Sequence, residues 1–193
     1  MYNVYEHAIA VTDRQLVSGD FLTQIAKVAA LHPHALILRE KDLNDTEYER
    51  LAADVLRICN DENVACFMHS RVETAQNLGC RNIHMPVNLL TEMNLAERAR
   101  LTTHFDNISV SCHSKEDVCN AKKCGATQII LGTIFETDCK KGLKGKGLEF
   151  VREICAYCSL PVYAIGGMNP DRIKEVIAVG AAGGCMMSGF MKM

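Results

Sequence analysis

Cations, hydroxyls and glycines recur in this 193-residue sequence where short apolar runs end, and several are types that grip anions or move protons. The run ending Leu38-Arg39-Glu40-Lys41-Asp42 is the first. Alternation along a strand sends Arg39 and Lys41 to one side and Glu40 to the other. Two converging cations suit a phosphate or diphosphate, arginine offering a two-pronged donor set. The interleaved signs fit a surface salt-bridge cluster equally well. A second run ends His69-Ser70-Arg71, where an imidazole can serve as acid–base group near neutral pH or as a hydrogen-bonded structural residue. His84, inside another run, reads as structural. Ser109–Ser114 brings hydroxyls that can donate to phosphate, Ser111 among them, while Ser114 reads equally as a helix cap. After Gly132 comes a long connection carrying Thr133, Thr137, Cys139 and Lys140. Thr137 and Lys140 can grip an anion there, or the lysines can form a solvated basic loop. Cys139 among lysines has the setting that lowers a thiol pKa. The last two runs end in Gly166-Gly167 and Ser188-Gly189, and glycines let phosphate oxygens approach backbone N–H groups.

These residues need a scaffold, and the periodicity describes one. Strands are predicted at Tyr5–Thr12, Ala35–Arg39, Val64–His69, Asn82–Met85, Ile108–Ser111, Gln128–Gly132, Val162–Ile165 and Gly183–Met187. Helices are predicted between them at Phe21–Leu31, Thr46–Cys59, Val72–Leu78, Leu95–His104, Lys115–Cys124, Leu148–Cys158 and Pro170–Val179. Ser114 and Asn169-Pro170 read as helix starts, and Gly79, Gly125 and Gly180 as stops. Eight strands alternating with helices point to a single (β/α)8 TIM-barrel domain over residues 1–193, with a truncated last helix after the eighth strand. An open α/β sheet is the alternative, but no glycine-rich dinucleotide fingerprint follows the first strand. In a parallel barrel, the strand ends considered above all face one mouth.

Composition narrows the partners. The chain is 48% hydrophobic and 23% charged, with 21 Lys+Arg against 23 Asp+Glu, a formal net charge of −2. No global positive field exists to draw in nucleic acid or an anionic membrane, so any anion must be held locally. No apolar run reaches the ~20 residues of a membrane span, and the N-terminus lacks the pattern of a signal peptide. A cytoplasmic location is expected, with the ten cysteines as reduced thiols, mostly packed in apolar stretches. Only Cys155 and Cys158 make a CxxC spacing, and no second pair completes a zinc site.

The segments LREKDL, SVSCHS, LGTIFETDCKKG, AIGGM and CMMSGFM, in this order, resemble the thiamine phosphate synthase/TenI family. FETDCKKG and the following Gly145-Lys146-Gly147 are most similar to its TenI branch, which includes thiazole tautomerases. The resemblance implies a (β/α)8 barrel binding a phosphorylated thiazole near Gly166, Gly167 and Ser188, with Thr137 and Lys140 alongside. In the synthases, the counterparts of Arg39, Lys41, Ser111 and Lys140 help to hold a pyrimidine diphosphate. Synthases also carry acidic magnesium ligands after the third and fourth strands; here those positions read His69-Ser70 and the neighbourhood of Leu89. The histidine that serves as acid–base group in TenI enzymes is replaced by Thr133. His69, with Lys140 or Cys139 assisting, is the substitute this sequence offers. Three readings therefore stand. They are a metal-free thiazole tautomerase, a Mg2+-dependent synthase joining hydroxymethylpyrimidine diphosphate to thiazole phosphate, and a non-catalytic phosphate-ligand-binding regulator. A homo-oligomer is compatible with all three.

Overall fold

Eight apolar runs pair side by side, all parallel, into a closed barrel in the computed structural model, which describes residues 3–137 and 144–193. The strands are β1 (Ala8–Val11), β2 (Ala35–Leu38), β3 (Ala65–His69), β4 (Asn82–Pro86), β5 (Asn107–Cys112), β6 (Gln128–Gly132), β7 (Val162–Ile165) and β8 (Gly183–Met186). Each pairs with its sequence neighbour, and β1 closes on β8 through Ile9 opposite Cys185. The helices are α1 (Phe21–Ala29), α2 (Asp45–Asp61), α3 (Val72–Asn77), α4 (Val87–Glu92), α5 (Leu95–His104), α6 (Lys115–Lys123), α7 (Gly147–Tyr157), α8 (Pro170–Ala178) and α9 (Ser188–Met191). This is the expected (β/α)8 architecture, and α9, at four residues, is the short last helix.

Strand alternation sorts the apolar residues into two cores. Ile9, Val11, Ala35, Ile37, Phe67, Ile130, Tyr163 and Cys185 fill the barrel interior. Their strand neighbours, such as Ala10, Leu36, Leu38, Met68 and Leu131, pack outward against the helices. Because both faces are buried, the strands read as continuous apolar runs rather than alternating ones.

Local signals act where the sequence places them. The Ser114 side chain accepts from the Asp117 N–H at the start of α6. Asn169 accepts from the Arg172 N–H at the start of α8, with Pro170 in its first turn. Gly79, Gly125 and Gly180 follow α3, α6 and α8 with positive φ. Two expectations need correction. Tyr5–His7 do not begin the first strand: Val4–His7 form a 3-10 turn, the Asn3 side chain accepting from the Tyr5 N–H. The segment Val87–Glu92, which carried no helix expectation, forms α4 directly after Pro86. The described cysteines are free thiols, Cys155 and Cys158 included. No helix among the described residues is long and apolar enough to cross a membrane.

Candidate functional site

At the carboxyl ends of β3, β4 and β5 the barrel interior turns from apolar to polar. His69 follows Phe67 on the inward face, and the register sets His69 beside His84, His84 beside Ser109 and Pro86 beside Ser111. His84 is 5% exposed and Ser109 fully buried. The His84 ring is bonded on both sides, Nδ1 lying 2.9 Å from Ser109 Oγ and Nε2 2.9 Å from Ser111 Oγ. The His69 ring tilts against it at 5.5 Å between centroids.

The cations ending β2 act on this pair. Burial, reinforced by the charges of Arg39, Lys41 and Arg71, pushes the His69 imidazole down to about 4. Burial, with smaller contributions from His69 and Arg39, takes His84 to about 3. Both rings are therefore neutral at physiological pH. Glu40 points the other way, as alternation requires. It is buried, accepts from Thr12 Oγ1 at 2.6 Å and from the Arg14 N–H at 3.2 Å, and burial raises its pKa. The acidic partners in this stretch go to Arg14, which lies 2.6 Å from Asp42 and 3.6 Å from Glu40. Arg71 reaches Asp45 and the Leu43 carbonyl while its guanidinium lies 5.2 Å from the Tyr48 ring centre. Between them opens a cavity of about 300 Å3 lined by Glu40, Lys41, His69, Ser70 and Arg71. Ser70 sits at φ 59°, donates its N–H to the His84 carbonyl at 2.8 Å, and has a buried hydroxyl without a partner among the described residues.

The other half of the mouth is built from backbone. Beyond β6 and β7 the ladder continues, Ile134 N–H donating to Ile165 O and Phe135 N–H to Gly166 O. This brings Thr133 so close that a Cβ on Gly166 would stand 2.4 Å from its Cγ2, and one on Gly167 would stand 2.5 Å from Glu136 O. Both glycines also have positive φ, 104° and 63°. Here Gly-Gly accommodates the packing of one loop on another. Arg172 completes this half, donating to the Gly167 carbonyl with its guanidinium over the Phe135 ring at 4.5 Å. Thr137 is half-buried, and Ser188 is exposed at the start of α9. Lys140 and Cys139 lie outside the described residues.

One residue overlooked on sequence grounds stands beside Thr133. His113 Nδ1 lies 2.7 Å from the Gly132 carbonyl, so Nδ1 carries the proton and donates, leaving Nε2 with a lone pair when the ring is neutral. Its signal in the sequence is its place in SVSCHS, directly after the end of an apolar run.

A magnesium–diphosphate site needs hard oxygen ligands, usually carboxylates. The ends of β3 and β4 supply His69, Ser70 and Pro86 instead, and no group of three His, Cys, Asp or Glu among the described residues could hold a metal. The donor set does not fit magnesium.

Known proteins agree with this architecture. The family model described as thiamine monophosphate synthase matches residues 8–190. The chain belongs to that family. Among curated relatives of the family, the putative thiamine-phosphate synthase 2 of Aquifex aeolicus is 29% identical over 183 residues, covering 95% of this chain and 96% of the relative. The thiamine-phosphate synthase of Clostridium tetani is 27% identical over 172 residues, covering 86% and 78%. The solved thiamine phosphate pyrophosphorylase from Pyrococcus furiosus superposes with a TM-score of 0.84 at 24% identity, over 99% of this chain and 89% of that one. That last likeness speaks for the fold alone.

Proposed function

We propose that the chain is a thiamine-biosynthesis enzyme that binds a thiazole phosphate carboxylate at the barrel mouth and isomerises it by proton transfer. The observation that carries this reading is a neutral imidazole, His69, set among Arg39, Lys41 and Arg71, with His69, Ser70 and Pro86 rather than carboxylates at the ends of β3 and β4. Burial, reinforced by these cations, holds the ring unprotonated while the site is free. An anionic ligand offsets them, so the His69 pKa rises on binding toward the range where an imidazole both takes and returns a proton. Arg39, Lys41 and Ser111 hold one anionic group of the ligand. Thr137, Gly166, Gly167 and Ser188 face the other, and Thr133 lies beside them as a neutral contact. Lys140 is assigned an assisting role from its place in FETDCKKG.

The names of the curated relatives favour a second reading, thiamine phosphate synthase. One experiment separates the two. The purified chain is given carboxythiazole phosphate alone, then thiazole phosphate with hydroxymethylpyrimidine diphosphate, each with Mg2+ and with chelator. Isomerisation that survives chelation and falls at least about a hundredfold in His69→Ala supports the first reading. Magnesium-dependent pyrophosphate release establishes the second. Binding without turnover of either set leaves a regulatory binding protein.

A further inference from the structure

Proton counting around His84 gives one side chain at the mouth a definite polarity. A neutral imidazole has one N–H and one lone pair, and His84 meets a serine hydroxyl at each nitrogen, both at 2.9 Å. Two arrangements satisfy both contacts. In one, Ser109 donates to Nδ1 and the Nε2 proton goes to Ser111 Oγ. In the other, Ser111 donates to Nε2 and the Nδ1 proton goes to Ser109 Oγ. They differ in the hydroxyl proton left over. Ser109 is fully buried, and His84 is the one partner its hydroxyl has among the described residues, so the second arrangement would bury a donor without an acceptor there. Ser111 is half-buried at the end of β5, so in the first arrangement its spare proton faces the mouth.

We infer that His84 is a positioning residue: anchored by Ser109, it presents the Ser111 hydroxyl to the barrel mouth as a hydrogen-bond donor, ready for an anionic group of the ligand. The buried pair thus gives specificity for an acceptor at this point without adding charge. Burial and the neighbouring His69 and Arg39 keep His84 unprotonated, which preserves the one-way order of donors. An imidazolium would donate on both sides and leave the Ser109 proton stranded. The occupant of this position rests on the phosphate-ligand reading above; the orientation of His84 does not.

The test begins on ligand-free, full-length protein with 15N-labelled histidine at neutral pH. The expected spectrum has the His84 proton on Nε2 and an unprotonated Nδ1. A proton on Nδ1 overturns the inference. Inorganic phosphate is then titrated into folded variants, their fold checked by circular dichroism. Ser111→Ala is expected to weaken phosphate about tenfold, the cost of one hydrogen bond to a charged group. Ser109→Ala, which cannot touch a ligand, is expected to weaken it about threefold, with Ser109→Thr restoring the wild-type value. Undiminished binding by a folded Ser109→Ala variant overturns the relay. Should phosphate fail to bind wild type, the phosphate-ligand reading falls, while the tautomer still decides the role of His84.

Discussion

The two halves of the barrel mouth achieve related ends by different means. From β2 to β5 the surface is made of side chains: Arg39, Lys41, His69 and Ser111, positioned by strand alternation and tuned by one another's charge. From β6 to β8 it is made of main chain, with Gly166 and Gly167 packed against Thr133, Phe135 and Glu136 and held by Arg172. In the first half the charge is carried by the ends of side chains. A single methyl group disturbs the second. On the proposed reading, the side-chain half governs what is bound and its protonation, and the main-chain half governs whether the mouth keeps its shape.

That division can be broken at several points. The largest effect is expected from Gly167→Ala, which combines φ of 63° with a Cβ 2.5 Å from Glu136 O. A loss of about 3 kcal/mol in urea denaturation is expected, from backbone strain and overpacking together. Gly79→Ala is the control: its φ is 68°, but nothing lies within 4 Å of the added carbon, so only about 1 kcal/mol is expected. Equal losses would mean that loop packing plays no part.

Next in size comes a pH effect confined to the side-chain half. The folded-state pKa values of His69 and His84, about 4 and about 3, lie below the ordinary histidine value of 6.5. Above that value both states are neutral and the rings cost nothing. As pH falls below it, the unfolded chain takes up protons first, so stability is lost until the folded-state values are reached. Between pH 7.5 and 5, wild type should lose about 2 kcal/mol more than His84→Gln, measured by denaturation at each pH. Parallel curves would show that the ring is not held neutral.

Arg39→Ala tests the coupling between the cations and His69. Inorganic phosphate should bind about tenfold more weakly, and the His69 resonance should titrate at higher pH once that cation is gone. An unmoved His69 titration would separate the β2 cations from the imidazole. The smallest effect is expected from Asp45→Ala. Asp45 is 81% exposed where it meets Arg71, and exposed ion pairs contribute less than about 1 kcal/mol. A larger loss on denaturation would place Arg71 under tighter structural control than its contacts with Leu43 and Tyr48 provide.

Much of the side-chain half was legible in advance. Arg39 and His69 follow the inward-facing Ile37 and Phe67 at a spacing of two, Ser111 follows the buried Ser109 at the same spacing, and alternation alone turns them inward. At Arg39–Asp42 the sequence fits a phosphate clamp and a salt-bridge cluster equally well, and it does not show that the ion pairs of Glu40 and Asp42 run to Arg14, a residue of the preceding loop. His84 read as structural and is indeed buried; its bond to Ser111 depends on a register that no single strand contains. His113 went unnoticed because nothing local marks a histidine that will meet a carbonyl 19 residues away. Gly166-Gly167 reads in the sequence as a phosphate-binding pair rather than a simple turn, and nothing along the chain shows that Thr133 and Glu136 press on it.

What the sequence determined by itself is what depends on near neighbours: eight strands separated by helices, the caps at Ser114 and Asn169, the stops at Gly79, Gly125 and Gly180, and the side of the strand each mouth residue takes. Backbone sterics and side-chain alternation act within a few residues, so they can be read along the chain. Only the tertiary structure decided which residues meet. Closure of the barrel and the stagger of its strands set the β2 cations over His69, placed His84 between two serines of β5, and laid the loop after β6 on the glycines after β7. Those contacts depend on the register between strands, which barrel closure sets for all eight at once.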